Sequence, residues 1–255
     1  WIYENTGISC WWYQVINKEK YGWCQWVTSD SCNSKEALAR YYRRMGVLLC
    51  VSYILGSEDI HYENFVAHGE FPVIIDLELA IGCYKTKEKI DLTMVERFYI
   101  ESVLRSGILP SYVWNGKGNG INVGAMNGEG GQFMPALMPV VKNPGTVKMH
   151  IEYRHPVMGK GKNLATLNGE FFDPCEFLNE IQAGFEAAYD FLMKNKEETM
   201  RMLEVFRDVP IRYLVRDTQQ YSMILMTLGH PDLLIKGTDK QAVWDVLKKD
   251  MNNEK

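Results

Sequence analysis

Apolar residues recur at helical spacing between Leu38 and Leu49, where Leu38, Tyr41, Tyr42, Met45, Leu48 and Leu49 form one stripe that Ser52 continues. This period predicts a helix ending near Gly56, and Asn33 followed three residues later by Glu36 predicts its capping box. Upstream, the aromatic and β-branched run Tyr21 to Thr28 predicts a strand. Downstream, Asn64 to Ala67 and Phe71 to Ile75 predict two short strands joined by a turn in which Gly69 supplies a positive φ. That turn is expected to set Asn64 opposite Asp76. Residues Asn115 to Gly131 are dominated by Gly and Asn and read as a loop. A G-x-G there neither follows a strand nor opens a helix, so it is weak evidence for a phosphate cradle. Pro135 to Pro144 reads as irregular. From Pro174 the helical period returns through Phe177, Ile181, Phe185, Ala188 and Phe191, then Met202, Leu203 and Phe206, and a further helix is expected over Thr218 to Leu228.

Composition narrows the class. The 255 residues are 46% hydrophobic and 12% aromatic, enough for one large domain or two small ones. A net charge of -4 offers no overall basic field, so no nucleic-acid partner is expected. The six cysteines form no C-x-x-C pair and show no zinc-ligand spacing, which fits a reducing cytoplasm. The longest lipid-like run, Met45 to Leu55, is too short to span a bilayer, so no transmembrane segment is expected and the protein reads as soluble and cytoplasmic. The chain opens on Trp1 with residues that read like the interior of a domain, and a fragment of a longer protein is expected.

Chemistry concentrates in "SEDIHYENFVAHGEFPVIIDLELA", Ser57 to Ala80. Asp59, His61, Asn64, Asp76 and Glu78 flank a strongly apolar hairpin that would hold them at one rim. Oxygen ligands of this kind suit Mg2+, with substrate phosphates and water completing its shell. Taken singly, such residues are more often structural at turns and strand ends. Taken together, D-x-H-x-x-N followed by D-x-E parallels the spacing of the kinase catalytic Asp and metal-binding Asn, with a further metal-binding Asp downstream. His after the Asp and D-L-E in place of D-F-G are closer to lipid kinases.

The run "YYRRMGVLLCVSYILGSEDIHYENFVAHGEFPVIIDLE", with "VLRSGILP", "RYLVRDTQQY" and "GHPDLL" downstream, resembles the dehydratase domain of class II (LanM-type) lanthipeptide synthetases. The resemblance covers nearly the whole chain. It implies an α+β, lipid-kinase-like fold with a mostly helical C-lobe, in which residues 1–28 end the N-lobe and hinge and residues 29–255 form the C-lobe. It also implies ATP and Mg2+ as cofactors and a precursor peptide with its leader as substrate. Ser and Thr of that peptide are phosphorylated, and phosphate is then eliminated to leave dehydroalanine and dehydrobutyrine. A fused cyclase domain is expected in the complete protein, and the 255 residues alone are expected to be inactive.

By position, Asp59, His61 and Asn64 would serve phosphoryl transfer, while Asn64, Asp76 and Glu78 would hold the metal phosphate. Asp59 would orient or deprotonate the peptide hydroxyl, and His61 would support that group or the transferring phosphate; both assignments stay open. Arg212 and Thr218 match residues implicated in phosphate elimination, with Arg216 a second candidate. A guanidinium suits a leaving phosphate through its bidentate geometry. The strand "YGWCQWV" is expected near adenine. Asn122, Gly124 and Ala165 depart from the pattern, which carries Asp, Ser and Pro there. Two alternatives remain: a lipid-type or peptide kinase without elimination, and a non-catalytic precursor-binding remnant.

Overall fold

Helix α1 (Ile2–Thr6) stops at Gly7, whose φ of 67° is one that a side chain would disfavour. This computed structural model describes residues 1–82, 93–114, 120–128, 130–134, 137–210 and 218–248. Strands β1 (Val15–Lys18) and β2 (Tyr21–Cys24) form an exposed hairpin. The strand expected to reach Thr28 therefore ends at Cys24, with one further backbone bond from Gln25 to Gln14 at 2.9 Å.

Helix α2 (Lys35–Leu55) is the predicted helix, but its cap is Ser34 rather than Asn33. Ser34 Oγ accepts from Ala37 N at 3.2 Å, which satisfies one of the unpaired N–H groups of the first turn. Leu38, Tyr41, Tyr42, Met45 and Leu49 on its apolar stripe are buried, as the period requires. The helix ends at Gly56 in the left-handed region, φ 69°.

A short 3-10 turn, Tyr62–Asn64, leads into β3 (Phe65–His68) and β4 (Phe71–Ile74). They pair antiparallel across Gly69 and Glu70, with Gly69 at φ 57° as expected. Helix α3 (Met94–Glu101) carries a Thr93/Glu96 capping box and is followed by a 3-10 turn, Val103–Ser106. Two residues of the expected loop pair instead: β5 (Tyr112–Val113) meets β6 (Ile121–Asn122).

The expected irregular segment is in fact β7 (Met138–Lys142), paired with β8 (His150–Arg154). A two-stranded ribbon has a free edge on either side, so Pro139 needs no ladder donor and does not break it. The short strands β9 (Thr166–Leu167) and β10 (Glu170–Phe171) pair before the 3-10 turn Pro174–Phe177. Helices α4 (Leu178–Lys194), α5 (Lys196–Glu204), α6 (Thr218–Leu228) and α7 (Gly237–Asp245) complete the described order. The chain is α+β, built from helices and small antiparallel strand pairs.

Two compact units form. One comprises Trp1–Gln132 and Met158–Arg212; the other comprises Phe133–Val157 and Tyr213–Lys255. In the first, α2 and α4 meet where a Cβ at Gly46 would lie 1.9 Å from the Ile181 carbonyl oxygen and one at Gly184 1.8 Å from that of Arg43. The two glycines let the helix backbones touch. The α2 stripe packs there with Phe65, Ile60, Ile108 and Ile181 as the principal core. Among the described residues, no helix is long and apolar enough to cross a membrane, and Cys10, Cys24, Cys32, Cys50 and Cys175 are free thiols.

Candidate functional site

The core delivers Ile60, 2% exposed, as an anchor for the polar residues on either side of it. Its N–H donates to the Ser106 carbonyl at 2.9 Å. Asp59, immediately before, has φ 62°, in the left-handed region that a residue with a Cβ enters only when its surroundings hold it there. Part of that hold comes from Asn64, whose Nδ2 donates to the Asp59 carbonyl at 2.8 Å. The bond uses the amide nitrogen and leaves the amide oxygen as the ligand end.

His61 caps the 3-10 turn: its Nδ1 accepts from Glu63 N at 3.2 Å. The ring proton therefore resides on Nε2, which lies 3.7 Å from Asp59 Oδ1. The pair is partly open to solvent, with side-chain exposures of 27% for His61 and 54% for Asp59. A carboxylate beside an imidazole N–H, at the end of a rigid hairpin, can accept a hydroxyl proton or orient the hydroxyl.

The second half of the site follows β4. The two-residue turn pairs His68 with Phe71, and counting outward puts Ile74 opposite Phe65. Asn64 consequently faces Ile75, whose N–H donates to the Asn64 carbonyl at 2.9 Å. The expected pairing of Asn64 with Asp76 is thus one residue out of register. The direction of the Asn64 side chain is set by its bond to Asp59 instead of by strand alternation.

Asp76 is exposed and Glu78 half-buried. Asp76 Oδ1 accepts from Glu78 N at 3.1 Å, an Asx-type turn that orients the Asp76 carboxylate on the backbone of Glu78. Between them, Leu77 lines an apolar cavity of about 370 Å³ shared with Trp11, Trp12, Tyr13, Phe71 and Val73. Burial pushes the Tyr13 hydroxyl pKa up, with Cys24 and then the Asp76 charge adding to the shift.

Backbone bonds join the two halves. Glu58 N donates to the Leu79 carbonyl at 3.1 Å, Gly82 N to the Leu55 carbonyl at 3.1 Å, and Ser57 Oγ to the Ala80 carbonyl. Sequence reasoning missed one neighbour, Arg105 of "VLRSGILP". It is 7% exposed, donates Nη1 to the Ile100 carbonyl at 3.2 Å and lies 3.8 Å from Glu58 Oε1. Burial lowers its pKa, and the Glu58 charge opposes that shift. An apolar run ending in an isolated Arg beside Ser-Gly was the available signal.

Asn64, Asp76 and Glu78 offer only oxygen ligands, which fit a hard cation such as Mg2+. Among the described residues no three His, Cys, Asp or Glu side chains form a metal-binding group. A cation held here would therefore draw on the Asn64 amide, bound phosphate and water besides the two carboxylates.

The departures from the pattern have local explanations. The Asn122 side-chain oxygen accepts from Ser111 N at 3.1 Å and Gly124 N at 3.0 Å, a role Asp would also fill. A Cβ at Gly124 would lie 2.2 Å from the Leu109 carbonyl oxygen, so Ser would need the segment to shift. Ala165 is fully buried. Arg212 and Arg216 lie outside the described residues. Thr218 opens α6 in the second unit and is exposed.

The chain belongs to the family described as a domain of unknown function (DUF4135), whose profile matches residues 1–255. It is 29% identical over 228 residues to the lacticin 481/lactococcin biosynthesis protein LcnDR2 of Lactococcus lactis subsp. lactis. That alignment covers 85% of this chain but 24% of the relative, so the chain corresponds to about a quarter of LcnDR2.

Proposed function

We propose that the chain carries the phosphoryl-transfer site of a lanthipeptide dehydratase, which phosphorylates Ser and Thr of a precursor peptide and then eliminates phosphate. The observation behind this reading is the joined pair of segments, Asp59-x-His61-x-x-Asn64 and Asp76-x-Glu78, at the open end of one buried hairpin. The relative's part in lacticin 481/lactococcin biosynthesis supports a role in modifying a lantibiotic precursor. A lipid-kinase-like arrangement, with residues 1–28 as the end of an N-lobe and 29–255 as a C-lobe, belongs to the same proposal, as does a cyclase elsewhere in the full protein.

In the first step the peptide hydroxyl oxygen forms a bond to the γ-phosphorus of ATP while the bond to the ADP oxygen breaks. Asp59 orients the hydroxyl and takes its proton, and the Nε2–H of His61 supports the Asp59 carboxylate or the phosphoryl oxygens. Asn64, Asp76 and Glu78 would hold Mg2+, which would supply charge compensation for the phosphates. Such a transition state depends on positioning and charge compensation more than on covalent help. In the second step a base removes the α-proton and the phosphate leaves from the β-carbon, with Arg212 and Thr218 proposed to receive it.

Co-expression of the full protein with its precursor, followed by mass spectrometry, tests this reading. Dehydration removes about 18 Da per residue, whereas retained phosphate adds about 80 Da. Dehydrated peptide is the expected product. Retained phosphate throughout would leave a kinase, and unmodified peptide would leave only a binding module.

A further inference from the structure

The glycine-rich segment, weak as a phosphate cradle, makes a different contact. Val123 accepts from Tyr62 N at 3.1 Å, and Gly124 forms an antiparallel bridge with His61. A strand-like edge of this segment therefore lies along the two residues that follow Asp59 and Ile60. Its course is fixed at one side chain. Asn122 Oδ1 gathers the N–H groups of Ser111 and Gly124, while its main-chain carbonyl accepts from Asn127 Nδ2.

The surroundings leave little freedom. Val123 N donates to the Ser111 carbonyl at 2.7 Å, Ala125 N to the Gly107 carbonyl at 2.9 Å and Met126 N to the Ile108 carbonyl at 3.1 Å. Asn163, 1% exposed, donates Nδ2 to the Ala125 and Asn127 carbonyls at 2.6 and 2.7 Å. The residues after Gly124 are thus anchored to the core from two sides. Between Ser111 and Gly124 the Asn122 oxygen is a side-chain link, since it accepts from both N–H groups.

We infer that Asn122 is a positioning residue for His61: its side-chain oxygen sets the Val123–Gly124 edge against the loop carrying Asp59, His61 and Asn64. The consequence for catalysis rests on the phosphoryl-transfer reading, but the geometry can be tested without it. Asn122→Asp keeps the accepting oxygen and Asn122→Ala removes it.

Amide hydrogen exchange on the protein provides the first readout. In Asn122→Ala, exchange at Tyr62 and Gly124 is expected to rise about tenfold or more, since Gly124 N loses its acceptor and the edge loses two of the bonds that hold it, while α2 core amides stay protected. Asn122→Asp is expected to retain wild-type protection. Gly124→Ala, whose Cβ would meet the Leu109 oxygen, supplies an independent variant that should expose the same two amides. In the phosphorylation assay, Asn122→Ala should lower kcat with little change in KM for ATP, and Asn122→Asp should restore it. Unchanged protection at Tyr62 in both Asn122→Ala and Gly124→Ala overturns the inference, as does equal loss in Asn122→Asp and Asn122→Ala. Absence of phosphorylation in the wild-type protein would instead count against the function while the exchange result still judges the geometry.

Discussion

The side-chain amide of Asn64 donates to the main-chain carbonyl of Asp59 at 2.8 Å, so the proposed metal ligand also holds the proposed proton acceptor in its left-handed conformation. Replacing Asn64 should disturb both roles together. Asn64→Ala is expected to lower phosphopeptide formation by about a hundredfold or more, the scale for losing one preorganised polar group at a reacting centre. Asn64→Asp keeps a ligand oxygen but turns a carboxylate toward a carbonyl, and it should be impaired nearly as much. A wild-type rate of phosphorylation in Asn64→Asp, measured by mass spectrometry over time, would make the nitrogen bond dispensable.

Asp76 and Asp59 should fail at the same step for different reasons. Asp76→Asn removes one charge from a cation site with few protein ligands, and excess Mg2+ is expected to restore part of the rate. Asp59→Asn removes the group that orients or receives the hydroxyl proton, so added Mg2+ should leave it inactive. Phosphopeptide accumulating at the wild-type rate in either variant would break the assignment of that residue.

Long local periods were legible, and long-range geometry was not. The α2 stripe and the turn at Gly69 follow from spacing and from one glycine, and both occur in the structure. The capping residue moved by one because Asn33 and Ser34 are both good caps and only the path of the chain selects between them. The Asn64 register moved by one because strand alternation does not extend into a 3-10 turn. Met138–Lys142 was hidden by Pro139 and by a partner, His150–Arg154, that no local signal identifies. Spacing was enough to propose Asp59, His61, Asn64, Asp76 and Glu78 as a site, whereas the positive φ at Asp59 and the edge at Val123–Gly124 required the folded chain.

At the opposite end of the hairpin, Glu70 accepts from Arg40 and Arg44, and Arg44 is 3% exposed with its remaining donors on Ser9 and the Glu70 carbonyl. The Arg40 hydrogen bond, opposed by partial burial and reinforced by Arg44, lowers the Glu70 carboxyl pKa below its ordinary 4.5. A lowered carboxyl pKa contributes stability that is present above the unfolded value and lost as pH falls through the folded one. Glu70→Gln should therefore cost about 3 kcal/mol near pH 7, because it leaves a buried guanidinium without its counter-charge. The gap from wild type should narrow only below pH 4.5. Denaturant melts at neutral and acid pH would show this; a gap independent of pH would remove the ion pair as its cause.

The α2 and α4 contact admits no side chain at its closest point. Gly46→Ala or Gly184→Ala would set a methyl 1.9 or 1.8 Å from a backbone oxygen of the other helix, and backbone cannot rotate aside as a flexible side chain can. Either substitution is expected to destabilise the protein by about 2 kcal/mol or more. Gly145→Ala, with nothing within 4 Å of its Cβ but a φ of 74°, is a control for backbone strain alone. Wild-type melting temperatures in both Gly46→Ala and Gly184→Ala would show that the two helices accommodate the methyl and that the contact does not set the cost.

Variants at Arg212 and Thr218 would separate the proposed dehydratase from a kinase, because the two steps ask for different charges. Phosphoryl transfer needs positive charge on ATP, whereas elimination needs a donor beside the phosphate leaving the peptide. Arg212→Ala is therefore expected to slow elimination by roughly two to three orders of magnitude while phosphorylation continues. The product should be peptide carrying about 80 Da per modified residue in place of the loss of about 18 Da. Thr218→Ala should accumulate the same species, more weakly if its hydroxyl orients the phosphate without bearing charge. Unmodified peptide from Arg212→Ala, with an unchanged circular dichroism spectrum, would move Arg212 into the first step. Complete dehydration by both variants would remove the reason to prefer a dehydratase over a kinase.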